Sequence, residues 1–384
     1  MADGRAGSST DEPAVDIAVD ASFLAPGSVG GAEHMLKNLV RGLLDTSADL
    51  RLAIVTREGP WLADDGGRVT WRCLQPGRNR FLAGTTGLRD LRARSILCPN
   101  YFTPPGLSTR AGRVVTVIHD LQYRHFPQFF SRRKRLWLRA AHRHTLRRAD
   151  RVVAISEFVA ADIAGCYGER WRPKLTVIPD PVSWARFDAN GAHGELPAAT
   201  RRIVDSRPFV LTVAANYPHK NLERLVQAMS IVRRTPRFRD VALVVAGQLA
   251  RGLVGTLKGR AELPSSEWVV PTGYISDAAL GALYRRATAF AFPSLFEGFG
   301  MPAVEALGFG LPVVASRTTA IPESTRGLAC LLDDPTDTAR MAATITEILE
   351  EPERWAPAAA DVADLRRAYD PSTVARRYLQ VLLA

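Results

Sequence analysis

The stretch Pro293-Ser294-Leu295-Phe296-Glu297-Gly298-Phe299-Gly300-Met301-Pro302-Ala303-Val304-Glu305-Ala306 decides how this chain is read. The apolar run Phe290-Ala291-Phe292 stands before it and reads as a strand. A helical pattern follows to about Gly308, and Pro302 fits the first helical turn, where its missing N–H is harmless. The order is therefore strand, glycine-containing loop, helix start. Free N–H groups at a helix start, with the positive end of the helix dipole, hold an anion. Gly298 and Gly300 let the backbone approach a ligand without a Cβ in the way. Glu297 falls in the loop and Glu305 about one turn inside the helix. A carboxylate accepts hydrogen bonds from two vicinal hydroxyls, which suits a sugar or a ribose. These residues point to an anionic, hydroxylated ligand; the same spacing also fits a plain turn carrying two solvated glutamates.

Outward from this stretch the pattern repeats. Strand signals at 209–213, 241–246, 268–270, 289–292, 312–315 and 328–332 make one α/β series. An earlier series has strands at 15–20, 52–55, 114–118, 151–155 and 175–178, with a helix over 32–44. Alternating strands and helices imply parallel sheets covered by helices on both faces. Between the series, residues 179–208 hold Pro179, Pro181, Pro197, Pro208, Gly191 and Gly194, a linker composition. The reading is an α/β fold of two doubly wound domains, 14–183 and 205–368, with a cleft between them. Ligands of such sheets bind beyond the carboxyl ends of the strands. A last helix, from about Thr373, starts at Asp370 and Ser372 around Pro371.

Bulk properties agree. At 384 residues the chain is too long for one ordinary core, and 46% hydrophobic with 23% charged residues is a globular composition. Residues 1–13 read as a disordered lead-in without a secretory pattern, and no run spans a bilayer, so a cytoplasmic location is expected. Cys73, Cys98, Cys166 and Cys330 are too scattered for a metal or redox motif. The net charge of +11 favours anionic partners: nucleotide phosphates, nucleic acid or acidic lipid.

Glu297 and Glu305, with Gly-Phe-Gly between them, resemble the Glu-x7-Glu signature of family 4 glycosyltransferases. Further pieces resemble that family in order. They are Gly30-Gly31-Ala32-Glu33, Ile118-His119-Asp120-Leu121, Ala154-Ile155-Ser156-Glu157-Phe158, Val177-Ile178-Pro179, Pro218-His219-Lys220-Asn221-Leu222, Val245-Ala246-Gly247 and Thr272-Gly273-Tyr274. The resemblance spans roughly residues 15–383 and implies the GT-B fold: two Rossmann-like domains facing a cleft, with segment 369–384 returning as a helix to the N-terminal one. It implies a retaining transferase whose donor is a nucleotide diphosphate sugar, with no cofactor. Catalytic roles fall on His119, Lys220 and Glu297: His119 near the reacting sugar, Lys220 against the diphosphate, Glu297 on the sugar hydroxyls. Donor binding falls on Gly30, Gly31, Gly298, the N–H groups of Phe299, Gly300 and Met301, and Glu305 at the ribose. No Asp-x-Asp stands at a strand end, so no metal is expected.

The segment from His119 through Phe126-Pro127-Gln128-Phe129-Phe130-Ser131 looks most like bacterial mannosyltransferases that use GDP-mannose, with UDP-sugars the alternative. The acceptor is a saccharide, a lipid-linked species or a small natural product. Many relatives carry an arginine six residues before the lysine or directly before it; here those positions are Ala214 and His219, and Pro179-Asp180-Pro181 replaces a Pro-Asn-Gly turn. Residues 124–151 carry ten Arg or Lys side chains, among Leu136, Trp137, Leu138, Ala141 and Leu146. They read as a basic amphipathic helix from near Ser131. Such a face suits an anionic membrane, an acidic acceptor groove or plain solvent. There is no stacking platform for nucleic acid, so none is expected. An epimerase of the same fold, or a non-catalytic donor-binding subunit, competes with the transferase reading.

Overall fold

The computed structural model describes residues 15–24, 30–57, 59–62, 66–74, 87–88, 91–105, 107, 112–188, 196–215, 217–247 and 268–384. The lead-in at 1–13 lies outside them.

The strands of the first sheet are β1 (Val15–Ala21), β2 (Leu52–Thr56), β3 (Val69–Cys73), β4 (Ala93–Cys98), β5 (Arg113–Ile118), β6 (Arg151–Ala154) and β7 (Leu175–Val177). Their order is β3-β2-β1-β4-β5-β6-β7. The second sheet holds β8 (Phe209–Val213), β9 (Ala242–Ala246), β10 (Val269–Gly273), β11 (Ala289–Phe292), β12 (Val313–Ser316) and β13 (Cys330–Leu332), in the order β10-β9-β8-β11-β12-β13. Every neighbouring pair is parallel. Both sheets are doubly wound, and the strand order reverses between β1 and β4 and between β8 and β11. Those switch points are where a doubly wound sheet opens a crevice at its carboxyl edge.

The helices that matter below are α1 (Gly31–Thr46), α2 (Arg132–Arg148), α3 (Glu157–Tyr167), α4 (Ala198–Ser206), α5 (Leu222–Val232), α6 (Asp277–Arg286), α7 (Met301–Gly308), α8 (Thr338–Glu350), α9 (Ala359–Tyr369) and α10 (Pro371–Leu382). Helix α1 buries Met35, Leu36, Leu39, Val40, Leu43 and Leu44, the stripe that a 3.6-residue period puts on one face. Central strands read as near-continuous apolar runs because both faces are covered; β2 and β9 are buried at every residue.

The chain crosses between the sheets twice. The crossings touch where the Val182 N–H donates to the Tyr369 carbonyl at 2.8 Å. After the second crossing Asp370 caps α10, accepting from the N–H groups of Ser372 and Thr373 at 2.9 and 3.2 Å. Helix α10 then lies on α1. The carbonyl of Pro371 occupies the place where a Cβ on Gly42 would stand, and Arg113 donates to the Val381 carbonyl at 3.1 Å. One apolar cluster runs unbroken from Ile17 through Val182, Trp184 and Phe187 to Leu211 and Phe292.

Three expectations change. Segment 179–208 is not uniformly irregular: it contains α4, whose Thr200, Ile203 and Val204 are buried. Strands β3 and β4 are additions; Arg94 and Ser95 interrupt β4, and β3 is a half-exposed edge. Helix α2 begins as read, with the Ser131 hydroxyl accepting from the Lys134 N–H at 3.3 Å. Its Leu136, however, lies on the solvent side, 65% exposed. Among the described residues no helix is long and apolar enough to cross a membrane.

Candidate active site

The loop between β11 and α7 takes the conformation that its glycines allow. Gly300 precedes α7 at φ +89°, a backbone state that side chains resist, and Pro302 sits in the first turn. In its first turn Pro302 has no N–H and the Ala303 N–H donates to the Gly300 carbonyl at 3.0 Å, which leaves the Met301 N–H without an acceptor within the helix. The loop is braced from outside: the Glu297 N–H donates to the Thr319 hydroxyl at 3.0 Å, the Thr318 hydroxyl to the Ser294 carbonyl at 3.2 Å, and the Leu295 N–H to the His219 carbonyl at 2.7 Å. The Phe299 ring is buried edge-on against Tyr369, so only its backbone is left to serve a ligand.

Lys220 and Glu297 meet at the switch point of the second sheet. One follows β8, the other β11, and Nζ stands 2.6 Å from Oε1 with both side chains largely buried. Neighbouring Asn221 holds the turn that carries Lys220. It adopts φ +59°, is buried, and its amide donates to the carbonyls of Pro293 and Pro335 at 3.1 and 2.8 Å. His219 does not replace the arginine of relatives as a cation. Burial, helped by the Lys220 charge and opposed by Glu297, pushes its imidazole down to about 4. Ala214 is buried against Gly247.

The first sheet supplies the other wall. The His119 Nε2–H donates to the Pro99 carbonyl at 2.9 Å, which leaves Nδ1 as its free ring nitrogen in the neutral form. A Cβ on Gly298 would lie 2.0 Å from the His119 carbonyl. The space that this glycine leaves is thus filled by the opposite domain, not kept open for a ligand. The Ser156 hydroxyl donates to the Gly298 carbonyl at 2.8 Å, and Glu323 accepts from the first N–H groups of α3, those of Glu157 and Phe158, at 2.9 and 3.3 Å. These bonds tie the Gly298 loop and Glu323 of the second domain to the first domain beside His119.

Glu305 is engaged by the protein at both oxygens. It is 2% exposed; Oε1 accepts from Arg186, and Oε2 from the Tyr284 hydroxyl at 2.9 Å. Burial pushes its carboxyl up, while Arg186 and then Tyr284 pull it back. Arg186 also donates to His34 Nδ1 at 2.5 Å and lies 3.8 Å from Asp277. His34 stands in the first turn of α1, which Gly30 enters at φ +60°, and a Cβ on Gly30 or Gly31 would meet nothing within 4 Å. Arg186 and His34 escaped the reading of the sequence: one lies in the apparent linker, the other on a helix without a motif of its own. Among the described residues no group of three His, Cys, Asp or Glu side chains could hold a metal ion.

The sequence profile described as Glycosyltransferase Family 4 matches residues 29–186, and that described as Glycosyl transferases group 1 matches 198–361. The chain is a glycosyltransferase of the GT-B type. The boundary between the two profiles falls in the crossing segment of this GT-B enzyme: the first covers β2 to β7 and the second β8 to β13. It is 27% identical over 312 residues to O-antigen chain mannosyltransferase B of Escherichia coli, covering 78% of this chain and 74% of that protein. It is 35% identical over 146 residues to MMP alpha-(1->4)-mannosyltransferase of Mycolicibacterium hassiacum, covering 38% of this chain and 34% of that one. In fold it matches sucrose-phosphate synthase from Thermosynechococcus elongatus, with a TM-score of 0.73 at 20% identity over 96% and 98% of the two chains. It also matches HepE of Anabaena in complex with UDP-glucose, with a TM-score of 0.73 at 18% identity over 96% and 99%.

Proposed function

We propose that this glycosyltransferase moves a mannosyl group from a GDP-linked donor onto a saccharide, lipid-linked or natural-product acceptor, with retention and without a metal. Residues 205–368 hold the donor and 14–183 the acceptor. The observation that carries the reading is the Lys220–Glu297 pair at the β8/β11 switch point, next to Gly298, whose backbone abuts the His119 carbonyl of the other domain. A cation there meets the negative charge that builds on the leaving phosphate, in a site where water no longer screens it. Glu297 faces the sugar hydroxyls, the N–H groups of Phe299, Gly300 and Met301 hold sugar or phosphate oxygens, Gly30 with Gly31 face the diphosphate, and Glu305 faces the ribose. The acceptor oxygen attacks the anomeric carbon on the face that the phosphate leaves; the carbon–phosphate-oxygen bond breaks and the phosphate takes the acceptor proton. The mannosyltransferase relatives support the donor. Exposed Leu136 among the arginines of α2 favours lipid-linked acceptors on an anionic surface.

The test is calorimetric titration with GDP-mannose, GDP, UDP-glucose, UDP-N-acetylglucosamine and UDP, without added metal. GDP and GDP-mannose bind, and Lys220→Ala weakens both by roughly ten- to hundredfold. Selective binding of the UDP ligands would replace the donor; binding of none would overturn the reading.

A further inference from the structure

Arg186 comes from the segment between the sheets, yet it binds a group on each side of the cleft. Toward the second sheet its guanidinium meets Glu305 and, at 3.8 Å, Asp277. Toward the first it donates to His34 Nδ1. The guanidinium is held on a further side, its central carbon 4.4 Å from the centroid of the Phe187 ring, itself buried. A guanidinium has donors only, so the Nδ1 it meets is an acceptor and His34 carries its proton on Nε2. Arg186 thereby fixes the tautomer of a side chain in the first turn of α1 and the rotamer of Glu305 in one network. We infer that Arg186 is a positioning residue of the donor site: it couples the Glu305 carboxylate to His34 of α1, so that the two walls of the nucleotide cleft are set by one guanidinium. This rests on the reading that Glu305 serves the ribose.

The coupling has a pH signature. The charged groups facing His34 are Arg186, Asp277, Glu33 and Lys37. Burial first, then the Arg186 charge, holds its imidazole below the ordinary histidine range, against Asp277 and Glu33. Neutral His34 accepts from Arg186. Once protonated, Nδ1 becomes a donor and two cations face each other. The bond is therefore intact at neutral pH and is lost as pH falls through the lowered pKa of the folded state.

The experiment measures GDP affinity and thermal unfolding from about pH 8 to about pH 5. It uses the wild type, Arg186→Ala, Arg186→Lys, Glu305→Gln, the Arg186→Ala/Glu305→Gln double variant and His34→Asn. Arg186→Ala should weaken GDP by roughly tenfold or more at pH 8, with Arg186→Lys recovering only part, because a lysine lacks the planar fork that reaches two partners. The double variant should lose much less than the sum of its parts, the mark of a direct pair. His34→Asn keeps an acceptor that cannot titrate, so the acid loss of affinity expected of the wild type should disappear. Wild-type affinity in Arg186→Ala, additive losses, or an unaltered acid limb in His34→Asn would each overturn the inference. Where the wild type binds no nucleotide, the donor reading fails by itself. The unfolding cycle then still decides: non-additive Tm losses and an acid limb removed by His34→Asn uphold the coupling, and their absence sinks it.

Discussion

Asp180 stands where relatives place the asparagine of a Pro-Asn-Gly turn, and the change has an electrostatic cost. Its carboxylate is buried, and Oδ1 has no partner among the described residues. Burial pushes the carboxyl up to about 6, against the pull of His119. A raised pKa means that the folded state favours the proton, so the stabilising contribution is full at acid pH and is lost as pH rises through about 6. Set against an ordinary aspartate near ~3.9, the ionised group costs about 3 kcal/mol at pH 8. Asp180→Asn should raise Tm at pH 8 and do little near pH 4. A Tm gain independent of pH would show that packing, not charge, sets the cost. Glu305 contrasts with Asp180: buried as deeply, it has a guanidinium and a phenol as partners.

Among the elements, α3 shows how a short helix joins the domains. Its own Ser156 caps it through the Val159 N–H at 3.1 Å, and the same hydroxyl donates across the cleft to Gly298. Glu323 completes the N-terminus from the second domain, where a carboxylate meets the positive end of the helix dipole. Ser156→Ala removes a cap and a buried cross-cleft bond together, so urea unfolding should register a loss of about 1–2 kcal/mol. Glu323→Ala, at an exposed position, should cost less, about 0.5 kcal/mol. A larger loss for Glu323→Ala than for Ser156→Ala would mean that the carboxylate, not the serine, holds α3 to the second domain. Helix α7 relies on geometry instead: its N-cap is Gly300, without a side-chain bond, and with Pro302 lacking an N–H and Ala303 donating to the Gly300 carbonyl, the Met301 N–H is the one left to a ligand.

At the scale of the whole molecule, the return of α10 to α1 straps the two domains. The strap depends on Gly42, where a Cβ would stand 2.2 Å from the Pro371 carbonyl. Gly42→Val should displace α10, lower stability by about 1–3 kcal/mol, and broaden the denaturant transition as the domains begin to unfold separately. An unchanged midpoint and slope would remove the strap from the account. The continuous apolar cluster through Val182, Trp184 and Phe187 gives the physical reason to expect one transition in the wild type.

The sequence alone determined the double α/β series, the loop from Pro293 into α7, the cap at Asp370 and the order of the motifs. These features are written in local periods, in glycine and proline positions and in capping residues, which act over a few residues. Strand β4 was hidden because Arg94 and Ser95 break its apolar run, and Ser95 is buried only once β1 and β5 flank it. Gly298 looked like a ligand-facing glycine until the His119 carbonyl filled its space. Arg186 looked like linker, because its three partners lie 152 residues before it and 91 and 119 residues after it. What only the tertiary structure decided is which distant groups share a cleft: burial and cross-domain charge are properties of the assembled walls, and no local pattern encodes them.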